Sequence, residues 1–125
     1  MDEGQGVVAN AGGVVLVWVT APDLAVARTI AEAVVDAGLA ACVNILTGVH
    51  SVYRWQGAVC VEPEAQMLMK TTSARVSALE ACVRRLHPYA LPEFLVTPVV
   101  AGRAPYLRWV EDSVAAAIDP ATDAE

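Results

Sequence analysis

The chain has 125 residues, of which 56% are hydrophobic, and its formal net charge is −6 at pH 7. This length supports one sizeable core rather than two, and the acidic balance argues against a nucleic-acid partner, because phosphate binding requires an excess of Lys and Arg. Its three cysteines form no CxxC pair, which argues against a disulfide framework and favours a reducing compartment.

The two ends of the chain have the composition of tails. Several glycines interrupt residues 1–13, and Asp2 and Glu3 stand where a signal peptide carries positive charge. We therefore expect a flexible tail at 1–13, one folded domain at 14–118 and a second flexible tail at 119–125. The strongest apolar run, 14–19, is too short for a membrane span, so the sequence predicts a soluble, cytoplasmic protein without a membrane partner.

The folded domain begins with a strand and a helix. Residues 14–20 are continuously apolar and β-branched, which is typical of a central strand buried on both faces. Thr20 is the expected N-cap of the helix that follows, Pro22 fits its first turn, and Gly38 ends it. The apolar residues of this helix recur at helical spacing: Ala27, Ile30, Ala31, Val34 and Val35.

Residues 40–72 predict one very long β-hairpin. Its arms run from 40 to 56 and from 58 to 72, and Gly57 supplies the positive φ that a tight reversal needs. Strands in globular domains usually have about 3 to 10 residues, so a small domain leaves the distal arms uncovered. Exposed strand edges and aromatic side chains are an aggregation risk in a monomer, which favours pairing with other copies. Gly48 and Pro63 are the expected bend or bulge points.

The remaining elements complete an α+β order. A second helix starts near Ser73 and stops at His87-Pro88, a fourth strand covers 95–100, and Pro105 opens a last helix. The second helix has an apolar face: Val76, Leu79, Val83 and Leu86. The last helix is expected to turn these residues inward: Tyr106, Trp109, Val110, Ser113 and Val114. The order βαββαβα is the split βαβ arrangement plus a C-terminal helix.

Three separated motifs carry a family resemblance. They are Ser51-Val-Tyr-Arg-Trp-Gln-Gly57 in the hairpin, His87-Pro88-Tyr89 followed by Pro92-Glu93, and Tyr106-Leu-Arg-Trp109. In this order they resemble the CutA family from about residue 14 to residue 113. The resemblance implies a ferredoxin-like fold, a PII-like homotrimer and a link to divalent-cation tolerance. It implies no known reaction, and the chain has no nucleophile elbow, Walker loop or HExxH motif, so we expect no enzyme activity.

The returning arm of the hairpin suggests a metal site. Glu62 and Glu64 alternate along one face of the strand, and carboxylates are hard ligands that suit divalent cations. The family resemblance adds Cys42, at a position associated with copper, and His87 is the imidazole that falls on a family motif. In the competing interpretation, Glu62 and Glu64 belong to an ordinary solvated face. Cys42 is then a small buried hydrophobe, and His87 complements the negative end of a helix. The expected ligand is copper or another divalent cation, with no organic cofactor.

Two other functions remain open from the sequence. In the first, a PII-like sensor, Lys70 with Tyr89 and Glu93 holds a small anionic metabolite or a nucleotide in an inter-subunit cleft that Tyr53 and Trp55 also line. Lys70 has the simpler alternative of pairing with a strand carboxylate. In the second, a purely structural trimer presents its tails to a partner and binds neither ligand.

Overall fold

A computed structural model gives the fold of residues 6–115, which form six strands and three α-helices. The strands are β1 (Val7–Ala9), β2 (Val14–Ala21), β3 (Cys42–Trp55), β4 (Ala58–Thr72), β5 (Leu95–Pro98) and β6 (Ala101–Arg103). The helices are α1 (Leu24–Asp36), α2 (Val76–Leu86), which follows a 3₁₀ turn at Ser73–Arg75, and α3 (Ala104–Ala115). None of the helices in this range is long and apolar enough to cross a membrane.

Four strands form an antiparallel sheet in the order β3-β4-β2-β5. With one helix after β2 and another after β4, this is the ferredoxin-like arrangement, so the predicted α+β fold class is confirmed. β2 is a central strand, as its apolar run predicts, but its two faces differ. Its odd-numbered residues are buried in the main core, whereas Leu16, Trp18 and Thr20 on the other face are only half-buried.

The difference between the two faces follows from where the helices lie. α1 and α2 share the main core with β2 and β4, through buried residues such as Ile30 and Leu79. α3 forms a smaller cluster with Val14, through Leu107 and Val110. Since Val14 and the half-buried residues of β2 share strand parity, α3 covers one end of the sheet face opposite to α1 and α2. We call that second face the open face.

The long hairpin has the predicted arms and turn. Gln56 (φ 51°) and Gly57 (φ 83°) both have positive φ, as a type I′ turn requires, and Trp55 pairs with Ala58 next to them. The predicted bulge at Gly48 (φ 79°) is confirmed by a register shift between Leu46 and Val49. The ladder runs without such a shift through Pro63, which lies opposite His50, so the prediction of a bulge there is wrong.

The start of α1 differs from the prediction. β2 extends to Ala21, so Thr20 lies in the ladder opposite Gln66 and does not cap the helix. The N-cap is Asp23, whose Oδ1 accepts a hydrogen bond from Val26 N at 2.9 Å. The predicted end of the helix near Gly38 (φ 73°) is correct.

The segment expected as an N-terminal tail contains β1, which pairs with β6. The Asn10 side chain then fixes the chain to the domain: Nδ2 donates to Val14 O at 2.8 Å and to Val99 O at 2.6 Å, and Oδ1 accepts from Val14 N at 3.0 Å. Part of the expected tail, residues 7–13, is therefore joined to the folded domain by these hydrogen bonds. The expected C-terminal tail at 119–125 lies outside the described residues.

The last strand and α3 also differ from the predictions. The fourth strand of the sheet ends at Pro98 rather than Val100, because proline lacks the N–H that continues a ladder. In α3 the aromatic residues do not face inward: Tyr106 is 44% exposed and Trp109 is 47% exposed. Ser113 is half-buried, and the residues that contact the domain are smaller: Ala104, Leu107, Val110 and Val114.

Candidate functional site

The carboxylates of β4 and the loop after α2 form one polar group on the open face. Glu62 lies opposite Ser51 and Glu64 opposite Val49, so both carboxylates share a face of the ribbon with Tyr53, which lies opposite Cys60. The hydroxyl of Tyr89 donates a hydrogen bond to Glu64 Oε2 at 2.8 Å. We call Tyr53, Glu62, Glu64 and Tyr89 the carboxylate–tyrosine group.

The surroundings of this group raise the pKa of both of its tyrosines. Partial burial raises the pKa of Tyr89 to about 12, and the hydrogen bond to Glu64 and the negative charge of that carboxylate act in the same direction. The pKa of Tyr53 is raised as well, first by desolvation and then by the charge of Glu62. The group therefore favours cations and opposes the formation of further negative charge.

Replacing Glu64 with glutamine should lower the pKa of Tyr89 towards 10, the ordinary value for tyrosine. The raised pKa means that the folded state holds this proton more tightly than the unfolded state. The stabilisation of the fold that comes from the raised Tyr89 pKa is fully present below pH 10 and is lost as the pH rises through about 12. Tyrosinate absorbance, taken as the difference between each protein and its Tyr89→Phe derivative, measures the titration. Glu80→Gln, on α2, is the control, and an unchanged Tyr89 titration in Glu64→Gln would exclude the coupling.

His87 is buried, and both of its ring nitrogens have partners. The backbone N–H of Tyr89 donates to Nδ1 at 3.1 Å, which makes Nδ1 an acceptor and places the proton on Nε2. Nε2 then donates to Thr20 O at 2.7 Å. These bonds tie the loop after α2 to the end of β2 and place Tyr89 over Glu64. A metal ion at His87 would have to replace one of them.

Glu93 contacts a neighbouring position on β4 rather than Lys70. Gln66 Nε2 lies 3.4 Å from Glu93 Oε1 and 3.3 Å from Val19 O. Gln66 is two residues from Glu64 on the same face of the strand, so Glu93 and Tyr89 border the same end of the sheet.

Lys70 lies at the other end of the sheet. Its Cα is paired with Cys42 on β3 and with Leu16 on β2, and its Nζ lies 5.7 Å from the ring centroid of Tyr106. Lys70 is four residues from Gln66, so their Cα atoms are separated by about 13 Å in an extended strand. The structure does not bring Lys70 together with Tyr89 and Glu93 within one chain.

The proposed metal ligands are also divided. Cys42 lies in the Lys70 row of the sheet, whereas His87 binds to the backbone of Thr20, four residues further along β2 and about 13 Å away. Within residues 6–115, no three His, Cys, Asp or Glu side chains are close enough together to hold a metal ion. The described part of one chain therefore offers the Glu62–Glu64 pair and an isolated Cys42, without a complete coordination shell.

Trp55 lies beside the hairpin turn, two residues from Tyr53 but away from Lys70, Tyr89 and Glu93. Its partner Ala58 is six residues from Glu64, or about 20 Å along the strand. Sequence reasoning missed Gln66 as the partner of Glu93, and it missed the exposure of Tyr106 and Trp109. A signal for the exposure was available, since Ala104, Leu107, Val110 and Val114 give a complete apolar stripe without either aromatic residue.

Comparison with known proteins identifies the family. Residues 15–113 match the family described as CutA1 divalent ion tolerance protein. The chain belongs to this family. The divalent-cation tolerance protein CutA of Thermus thermophilus is 45% identical over 98 residues, which is 78% of this chain and 95% of that protein. The resemblance inferred from the three motifs is therefore confirmed.

Solved structures of CutA proteins agree with this assignment. CutA from Synechococcus elongatus is 38% identical with a TM-score of 0.84, and the match covers 90% of this chain and 98% of that one. The periplasmic divalent cation tolerance protein CutA from Archaeoglobus fulgidus is 31% identical with a TM-score of 0.79, covering 81% and 98%. The chain has the CutA fold along nearly the whole length of these relatives.

Proposed function

We propose that this CutA-family chain is a divalent-cation binding protein that acts in metal tolerance as a homotrimer. The observation that carries this function is the Glu62–Glu64 pair, two carboxylates on one strand face with Tyr89 holding one of them in place. The net charge of −6 attracts cations to the surface, and the Thermus relative is named a divalent-cation tolerance protein.

Two carboxylates cannot complete a cation site alone. Calcium takes about six to eight oxygen ligands and magnesium requires an octahedral set, so two carboxylates leave coordination positions open. In a trimer, waters and side chains of neighbouring copies fill those positions. This requirement connects the metal function to the assembly, because an isolated chain would hold a cation only weakly.

The proposal names copper as the divalent cation that this chain binds. Thiolate and imidazole are soft or borderline ligands that favour copper over magnesium, and Cys42 and His87 supply one of each. Cys42 is half-buried on the open face, and His87 must give up a hydrogen bond to Thr20 or Tyr89 to bind an ion. Within one chain, about 13 Å separates Cys42 from the Thr20 backbone that His87 contacts. Cys42 and His87 would therefore share an ion as residues of different copies.

The trimer is supported by the surface of the hairpin. The distal arms of β3 and β4 expose Val52, Val59 and Val61 on the face opposite to the carboxylate–tyrosine group. An apolar ribbon of this kind marks an interaction surface.

The same proposal includes a cytoplasmic location, which the three free cysteines support, and a binding rather than a catalytic role. Lys70 lies at the other end of the sheet from Tyr89 and Glu93, so the sensor alternative, like the copper site, requires its residues to meet between different copies.

Anaerobic calorimetric titration with copper, zinc and magnesium tests the metal ligands. All variants are made in a Cys60→Ser background, because Cys60 on the hairpin offers an adventitious thiol. We expect Cys42→Ser and His87→Gln each to weaken copper binding at least about 10-fold, as loss of even an outer-shell partner costs about that much. We expect Glu62→Gln with Glu64→Gln to weaken magnesium binding more than Cys42→Ser does.

Glu80→Gln is the matched control for lost charge, and each variant is checked by light scattering for an unchanged particle mass. If copper affinity is the same in Cys42→Ser and His87→Gln as in the background protein, these residues are not ligands. If the glutamine pair also leaves all three metals unaffected, the proposed cation site is wrong.

A further inference from the structure

Lys70 is a half-buried cation whose neighbours in the sheet are uncharged. Its direct cross-strand neighbours on the open face are Cys42 and Leu16, and its neighbours along β4 on that face are Leu68 and Thr72. None of these side chains carries a charge. Within the described residues, 6–115, Lys70 forms no ion pair.

Two aromatic residues that the core does not use lie beside this cation. Tyr106 and Trp109 are one turn apart on α3, with ring centroids 5.5 Å apart and an interplanar angle of 35°. Leu107 and Val110 provide the packing of α3, and nearly half of each aromatic side chain remains exposed. The Lys70 ammonium lies over the Tyr106 ring. A positive charge therefore borders an exposed aromatic surface.

This arrangement leaves N–H donors of the Lys70 ammonium and the exposed aromatic ring faces available to a ligand. A cation–π contact satisfies the ammonium only in part, because an ammonium has three N–H donors and a ring face engages one side of it. A carboxylate at the free side would add a charge-assisted hydrogen bond in surroundings poorer in water than the bulk. A planar group attached to that carboxylate would stack on the exposed rings.

We propose that Lys70, Tyr106 and Trp109 form a binding site for a small planar monoanion, an aromatic carboxylate, with its carboxylate on Lys70 Nζ and its ring on the aromatic pair. One ammonium matches one negative charge, whereas a polyphosphate requires several donors. The site is separate from the Glu62–Glu64 pair, although it adjoins Cys42, the proposed copper ligand. Glu64 is six residues away along β4, about 20 Å, and its carboxylate repels the anions that Lys70 attracts.

Isothermal titration with indole-3-acetate tests the site on the native assembly. Indole-3-acetamide has the same ring without the charge, and acetate has the charge without the ring. We expect saturable binding of indole-3-acetate, and binding about 10- to 100-fold weaker for the acetamide, the range for loss of a hydrogen bond to a charged group. Lys70→Met, which keeps an alkyl stem over Tyr106, should give the same loss. Lys70→Arg should restore binding, and Trp109→Leu should weaken it.

Arg28→Met is the control, because it removes a cation from α1 on the other side of the sheet and should leave binding unchanged. Thermal unfolding and particle mass establish that each variant is folded and assembled. If the wild-type protein binds none of the three probes, the proposal is overturned. A lower melting temperature of Lys70→Met would then show that the Lys70–Tyr106 contact is structural. Equal binding of indole-3-acetate by wild type and Lys70→Met would overturn the proposal as well.

Discussion

Replacing Val59 and Val61 together with glutamate should dissociate the assembly into monomers. Val52, Val59 and Val61 are 67%, 65% and 61% exposed on one face of the distal hairpin, so a lone chain leaves this surface in water. We expect the unmodified protein to scatter light as three chains of 13.1 kDa, about 39 kDa, at micromolar concentration. Two carboxylates per copy would have to be desolvated at the interface without partners, which is costlier than leaving the copies apart.

Val59→Thr with Val61→Thr is the matched control. Threonine keeps the β-branched shape and the strand preference, and its hydroxyl is far less costly to bury than a charge, so the threonine protein should remain assembled at the same concentration. A wild-type protein that is monomeric at micromolar concentration would contradict the trimer. A glutamate protein that remains trimeric would show that other surfaces carry the assembly.

The hairpin was predictable from sequence because its determinants are local. Gly57 marks the turn, Gly48 marks the bulge, and the alternation of β4 assigns its faces. The odd-numbered residues from Ala65 to Thr71 form the predicted apolar face and are buried, and the even-numbered ones are half-buried. A period of two in one strand needs no knowledge of the rest of the chain.

The distances between the site residues were less predictable, because they depend on the register of the paired strands. Tyr89 and Glu93 fall on a family motif and Lys70 lies on the polar face of its strand, but the sequence does not give their separation. The register fixes it: Lys70 lies opposite Leu16, whereas Gln66, the partner of Glu93, lies opposite Thr20. Within one chain, the residues of the predicted inter-subunit cleft therefore lie at two ends of one sheet, and only a neighbouring copy can bring them together.

His87 shows a second limit of sequence reasoning. Its place before Pro88 correctly indicates the end of α2, and a histidine at a helix end suggests either a dipole partner or a ligand. The structure shows a third role. The ring joins the backbone of Tyr89 to that of Thr20, and both partners are backbone atoms that leave no signal in the residue types.

Replacing Met67 with alanine should lower the free energy of unfolding by about 2 to 5 kcal/mol, the usual cost of truncating a large buried side chain. Met67 is fully buried in the main core and lies between Val19 on β2 and Ile45 on β3 in the ladder. Removing its side chain leaves a cavity between α1, α2 and the sheet that these packed elements cannot fully close. Urea unfolding at one fixed protein concentration measures the change, because the stability of an assembled protein depends on concentration.

Leu68, the next residue on β4, provides a comparison that shows which face of the sheet is more deeply buried. Leu68 is half-buried on the open face, so Leu68→Ala removes a similar volume with less loss of buried contact and should cost clearly less than Met67→Ala. Met67→Leu nearly conserves volume and should cost less than about 1.5 kcal/mol. If Leu68→Ala were the more damaging of the two alanine variants, the open face would be the more deeply buried one in the native assembly. The trimer would then cover the surface on which Lys70 and Cys42 lie.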